Sequence, residues 1–378
     1  MGALSTIGLR INIYQRGGGG VPSTSLFGDI SARASNYSHT LTDSYGFESM
    51  QVSLAVSLDE ALDWLNNGLM RSVIVSGPDA ETVWEGYLNT VSAQIGQKPV
   101  TLSLDGMANR VRCTYTTVLG TPGTTSSVSD TPSQLLYGIK DRIVPLDASD
   151  ATAAAYRAAI VLANLAYPKS REATQAMTGA QGEITLTLSF AGWYGTLEWL
   201  VTSNSTTSTA VTTTQVGTLL AGYGNGFLST STVNIIASGI SSPQKIEANT
   251  TYREAIEDRL RLGIGTYPVV WGVYENREFY VQRWAGETPD VVTYYERLGD
   301  SNIYTPSGGI TLPWNVRPNA ISQVSDLLDV ASIAIAPDAA ARKYVGRVTC
   351  TISGDQIGCE LQPSEMDSVE VRLASLRG

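Results

Sequence analysis

Leu9, Ile11 and Ile13 alternate with Arg10, Asn12 and Tyr14. A two-residue period places one set of side chains on each face of a strand, so this segment reads as a half-buried β-strand. The period returns at Gln51 to Val56, at Val100 to Leu104 and at Glu183 to Phe190. Further strand signals lie at Ser72–Ser76 and Thr82–Asn89, with a turn at Gly77-Pro78-Asp79. Gly17 to Gly20 cannot hold regular structure.

Helical spacing is the exception. Leu58, Ala61, Leu62 and Leu65 share one helical face, with Ser57 placed to cap and Gly68 to stop it. Ser149 or Asp150 caps an Ala-rich helix running to about Ala166, on which Tyr156, Ile160, Ala163 and Tyr167 share a face. A short helix is expected at Gln215 to Ala221. Another spans Tyr252 to Leu262, with Thr251 and Glu254 as a capping box and Glu257 and Arg261 spaced for an ion pair. Ile321 to Ile333 also reads as a helix, from the spacing of Val324, Leu327, Leu328 and Ala331. Val269–Val273 and Glu278–Trp284 form a hairpin around Glu275-Asn276-Arg277, and Val345 to Leu373 returns to strand.

The fold expected is α+β and β-rich: two antiparallel β-barrel or sandwich domains with short helices and small α/β segments. Four regions follow. Residues 1–119 form a β-domain, and 120–180 a linker with the Ala-rich helix, since Gly120 to Pro132 is Thr/Ser/Gly/Pro-rich. Residues 181–320 form a second β-rich domain containing the helix at 251–262, and 321–378 a C-terminal helix and strands. Val100-Thr101-Leu102-Ser103-Leu104 and Ile184-Thr185-Leu186-Thr187-Leu188 each run into a glycine followed by a large apolar residue. Either one β-unit is repeated, or two strands obey the same patterning.

Composition narrows function. Charged residues make up 16% of the 378 and hydrophobic ones 43%. Such a surface favours burial in an assembly. The formal net charge of −10 argues against a sequence-reading nucleic-acid binder. It suits either simple solubility or a channel whose walls repel DNA. No apolar run approaches the ~20 residues of a membrane span. Met1 to Arg10 shows no secretion signal, so folding in a cytoplasm is expected. Of three cysteines, Cys350 and Cys359 could bridge if they face each other on a hairpin, and Cys113 reads as a small hydrophobe.

Chemistry is sparse. His39 is the one histidine, with no sequence partner for metal binding or a triad, and is expected at a surface or interface. Gly17–Gly20 lacks a phosphate-loop ending, and Gly222–Gly226 follows a helix instead of opening one. Asp59, Glu60, Asp63, Glu254 and Asp258 sit on polar helix faces, where solvated carboxylates are ordinary. Trp193, Tyr194 and Trp199 cluster, as do Trp271, Tyr274, Phe279, Tyr280 and Trp284. They are core residues, interface anchors or a sugar platform.

The features from Ser38 to Leu104 come in a definite order. It comprises Tyr37-Ser38-His39-Thr40-Leu41, a polar turn at Asp43–Gly46, Met50–Val56, a helix, Arg71, and Val73–Val75. Trp84-Glu85-Gly86-Tyr87-Leu88 and Val100–Leu104 follow, leading through Asp105-Gly106 to Arg110-Val111-Arg112-Cys113. That order resembles phage tail hub proteins, and Gly192 to Trp199 and Trp271 to Arg277 look like minor tail proteins of long-tailed phages. The Gly-rich insertion and the Thr-rich loops do not match.

The resemblance implies a structural, non-catalytic protein of the virion, assembled in the host cytoplasm. It implies tail-tube-like β-barrels occurring twice per subunit, so that a homotrimeric ring continues a hexameric tube around a DNA channel. Partners would be further copies, the tail tube, and distal, tip or fibre proteins. DNA would pass without specific binding. No cofactor, metal or membrane insertion is implied. Trp84 and Tyr87 become core candidates. Arg71, His39, Trp193 and Trp271 become interface candidates, Arg71 as an inter-subunit or inter-domain pair. A carbohydrate- or receptor-binding tail component and a cell-wall hydrolase are the competing readings.

Overall fold

A computed structural model describes residues 8–19, 21–78, 80–95, 98–147, 149–169, 184–203, 205–237, 244–263, 269–283, 291–297, 303–304, 321–328, 333–334, 343–353 and 356–363. Across them the chain is α+β and β-rich, with mostly antiparallel pairing and few helices.

The first strands follow the two-residue period. β1 (Arg10–Arg16) buries Ile11 and Ile13. β2 (Leu26–Asp29) pairs with it at the edge, and β3 (Ala34–Thr42) and β4 (Gly46–Val56) form an antiparallel pair. In β4, Met50, Val52, Leu54 and Val56 all point inward. The period then changes and α1 (Leu58–Asn67) forms. Ser57 accepts the Glu60 N–H at 3.3 Å, and Ala61, Trp64 and Leu65 are buried. β5 (Arg71–Ser76), β6 (Thr82–Ile95) and β7 (Lys98–Ser103) complete the segment. Trp84 and Tyr87 of β6 lie in the core, where the resemblance placed them.

A smaller α/β unit with its own core follows. β8 (Arg110–Thr116) is flanked by β9 (Pro122–Thr124) and β10 (Val128–Ser129). The stretch expected as a linker therefore pairs with β8, its backbone groups satisfied by the ladder. α2 (Thr131–Tyr137) is capped by Asp130, and β11 (Asp141–Leu146) joins β8 in parallel. α3 (Ala151–Leu165), capped by Asp150, packs Ala154 and Ala158 on Ala108, Val111 and Cys113. Its Tyr156, Ile160 and Ala163 face turns outward, with Tyr167 exposed just beyond the helix.

β12 (Ile184–Gly192) then returns to the first sheet and inserts between β4 and β6. Ile184, Leu186, Leu188 and Phe190 are buried. The main sheet runs β5-β6-β12-β4-β3 through its centre, so a boundary at 180/181 cuts through one sheet and one core. The similar strands β7 and β12 are neighbours of the same strand, β6, not one strand from each of two barrels. Leu102 and Leu188 both register with Val91, and Val100 and Leu186 with Ala93. Where β12 ends, Gly192 faces Gly86, and a Cβ at 192 would stand 1.6 Å from the Phe47 carbonyl oxygen. Only glycine permits that approach.

Beyond β12, a 3-10 turn at Trp193–Glu198 leads to β13 (Thr206–Ser208), α4 (Thr212–Gly222), β14 (Gln244–Ile246) and α5 (Tyr252–Leu260). α4 starts three residues before the sequence reading placed it. In α5, Thr251 accepts the Glu254 N–H at 3.1 Å, Glu257 and Arg261 pair at 3.2 Å, and Gly263 stops the helix at a φ of 73°. β15 (Val269–Val273) and β16 (Phe279–Arg283) form the expected hairpin, with Trp284 outside the described residues.

β17 (Val291–Arg297), β18 (Ile303–Tyr304), β19 (Ile321–Leu328), β20 (Ile333–Ala334), β21 (Lys343–Ser353) and β22 (Gln356–Pro363) are strands. The helix expected at 321–333 is thus corrected over 321–328, while 329–332 lie outside the described residues. Its i, i+3 apolar spacing is overridden by a ladder, parallel to β17 and antiparallel to β21. β21 joins the main sheet beside β3. Register sets Cys350 opposite Cys359, Cys350 is disulfide-bonded, and Cys113 is free and buried. The rest of the expected C-terminal strand segment, 364–373, lies outside the described residues.

Candidate functional site

The four interface candidates are all inside the chain: Arg71 is 4% exposed, His39 1%, Trp193 1% and Trp271 8%. A side chain closed within its own subunit has no surface to offer a neighbour. His39 lies on β3 between Met50 of β4 and Cys350 of β21. Its Nδ1 hydrogen-bonds the Tyr37 hydroxyl at 2.8 Å. At 1% exposure, on a strand in the sheet's interior, it is a core residue and not the surface residue its polar neighbours suggest.

Arg71 joins α1 to β5. Its Nη2 meets Asp63 at 3.0 Å, and its guanidinium stacks 3.7 Å from the Phe27 ring and 4.8 Å from Trp64. Burial pushes the Asp63 carboxyl up, but hydrogen bonds from Asn67 and Arg71 outweigh it and hold it below its ordinary value. The pair is internal to this subunit.

Trp193 packs in one aromatic cluster, and Trp271 in a separate seam built on Tyr194. Trp193 stacks on Phe227 at 5.6 Å and packs 5.1 Å from Tyr87. Trp271 Nε1 donates to the Tyr194 hydroxyl at 3.0 Å, and that hydroxyl donates to Glu257 at 2.9 Å. Glu257 also accepts from Arg253 at 2.7 Å and from Arg261 at 3.2 Å. Arg253 reaches on to Glu198 and lies 4.4 Å from the Tyr45 ring. Burial and the Glu257 charge hold the Tyr194 phenol well above its ordinary range. The i, i+4 spacing of Arg253, Glu257 and Arg261 signals part of this seam. The contacts to Tyr194 and Trp271 are tertiary and carry no local signal. With both indoles enclosed, neither offers a sugar its stacking face.

Two buried charges also escape sequence reading. Lys140 Nζ donates to the Leu104 carbonyl at 2.7 Å and sits 4.2 Å from the Trp199 ring. Burial pulls it down to about 8. Glu85 lies under the β15–β16 turn, and burial pushes its carboxyl up to about 7, against the Arg277 charge and the N–H groups of Asn276 and Arg277. Of the helix-face carboxylates, Glu60 pairs with Arg33, Asp63 with Arg71 and Asp258 with Arg261. Among the described residues no three His, Cys, Asp or Glu side chains group to hold a metal. No helix among them is long and apolar enough to cross a membrane.

A pocket of about 280 Å³ opens between the α/β unit and the turn–α4–α5 layer. Alternation along β8 builds one wall: Val111 and Cys113 point under α3, so Arg110 and Arg112 face the other way. Arg110 makes a two-point contact with Asp141, its register partner on β11, with Nη2 at 2.7 Å. The hydrogen bonds to Asp141 raise its pKa. Asp141 also accepts the Val201 N–H at 3.1 Å. Arg112 Nη2 donates to the Thr202 carbonyl at 3.0 Å, while its Nε is buried without a partner. Burial lowers the Arg112 pKa, and Arg110 adds to this while Asp141 opposes it.

No family model matches the chain, and no curated protein matches it. Among solved structures it is similar to a tail protein from Neisseria meningitidis MC58, at 10% identity and a TM-score of 0.45, covering 95% of this chain and 96% of that one. It is also similar to the 43 kDa tail protein of prophage MuSo2 from Shewanella oneidensis, at 7% identity and a TM-score of 0.46, covering 93% and 96%. Identities this low transfer no residue role.

Proposed function

We propose that the chain is a structural component of a phage tail, a hub-ring subunit at the tail tip that continues the tube around the DNA channel. The observation that carries this reading is how residues 37–104 fold. The motif order that resembles hub proteins becomes β3, a turn, β4, α1, β5, β6 and β7, all strands of one sheet with α1 packed through Trp64. The surface supports assembly. Val118 and Leu119 stand 90% and 94% exposed at a hairpin tip, and α3 has one charged residue, Arg157, in fifteen. A helix apolar nearly all round is ordinarily covered on more than one side. In a ring, head-to-tail contacts cover such surfaces and repeat until they close.

The neighbours proposed are further copies, the tail tube and distal tail or fibre proteins, in the virion. The test is symmetry and mass: electron microscopy of tails together with light scattering of the purified chain. A trimeric ring is expected. A chain monomeric both in dilute solution and in the particle would overturn the reading.

A further inference from the structure

The pocket behind β8 holds two guanidinium groups against one carboxylate. Asp141 accepts from Arg110 at both oxygens and from the Val201 N–H, while among the described residues Arg112 has no acidic hydrogen-bond partner and a buried Nε left over. A partly buried cation without its own anion is costly, and a guanidinium fork is shaped for a planar carboxylate or a phosphate. Charge decides between them. Arg110, Arg112 and Asp141 sum to one positive charge, which a monoanion cancels. A phosphate dianion would leave a surplus negative charge beside Asp141. Size agrees: 280 Å³ lies at the small end of ligand pockets and suits one acidic side chain or a short organic acid. The exposed Ser127 and Ser203 on the rim are further potential donors, and the rings of Tyr223 and Tyr252 close the floor.

We propose that this pocket binds a single carboxylate, donated by an acidic side chain of a neighbouring chain or by a small free acid. The chain itself carries 35 acidic against 25 basic residues, so an adjoining copy is a ready source. The assignment goes beyond the tail reading and stands or falls on the pocket's own chemistry.

The test is calorimetric titration of the full chain at low ionic strength. The probes are propionate, inorganic phosphate, a capped Gly-Gly-Glu-Gly-Gly peptide and its Gln counterpart. A carboxylate probe should bind, the Gln peptide should not, and Arg112→Gln should weaken binding at least about tenfold, as expected for losing a charged hydrogen-bond donor. Arg112→Lys keeps the charge and loses the fork, so it should bind with intermediate affinity. It carries the test if Arg112→Gln fails to fold. Tighter binding of the Glu peptide than of propionate assigns the site to a neighbouring chain, and the reverse assigns it to a free acid. The proposal is overturned if neither carboxylate binds, if the Gln peptide binds equally, if phosphate binds more tightly than propionate, or if the folded Arg112 variants bind like the parent.

Discussion

Leu102 and Leu188 sit on opposite sides of Val91, one on each neighbouring strand, although 86 residues separate them in the chain. Leu188 is fully buried and Leu102 only partly so. Leu188→Ala should cost about 2–5 kcal/mol, the range for emptying a buried leucine site. Leu102→Ala should cost clearly less. Urea unfolding of the two variants checks the order, and equal losses would contradict the central placement of β12.

Glu85 should make stability fall as pH rises. Its folded pKa of about 7 lies above the ordinary 4.5, so between those values the folded chain holds a proton that the unfolded chain has released. The stabilisation is complete below about 4.5 and is lost through about 7, amounting to about 3 kcal/mol for the full shift. Glu85→Gln should flatten this window and raise stability at pH 7.5. Thermal unfolding across pH 4 to 8 reads it directly.

Lys140 should act in the opposite sense at higher pH. Its pKa falls from 10.5 to about 8 on folding, so between those values the unfolded chain binds the extra proton. Stability therefore rises from pH 8 to 10.5, by about 3 kcal/mol over the full window. Lys140→Met should remove the rise. At pH 7 it should be close to neutral, because relief from burying the charge offsets the lost hydrogen bond to the Leu104 carbonyl. A loss above about 3 kcal/mol at pH 7 would instead assign the lysine a strong favourable partner.

Tyr194→Phe deletes one hydroxyl and leaves the Trp271 N–H buried without an acceptor. The expected cost is about 1–3 kcal/mol. Trp271→Phe in the Tyr194→Phe background should cost less than Trp271→Phe alone, since the shared hydrogen bond is already gone. A double-mutant cycle with no coupling would rule out the bond as an energetic link.

Where a segment's partners are local, the sequence reports its structure. Ser57 caps α1 and Thr251 caps α5, and Glu257 meets Arg261, because each pair lies within one helical turn. Ile184 to Phe190 alternate and are buried accordingly. Where partners are distant the signal fails. His39 reads as exposed from its polar neighbours, yet it is buried on a strand paired on both edges by β4 and β21. Ile321–Leu328 carries helical spacing, yet β17 and β21 supply a ladder. The pocket was half visible: the alternation of Arg110-Val111-Arg112-Cys113 sets both arginines on one face. That Asp141 would neutralise only one of them depends on a parallel register no local rule supplies.

The insertion of β12 between β4 and β6 also orders events in time. A ribosome releases β4 and β6 long before residue 184 emerges, and in that interval each presents the edge that β12 later covers. The nascent chain therefore carries two open strand edges through the synthesis of the whole α/β unit. It should fold slowly, through a state prone to sticking to its own kind until the missing strand arrives.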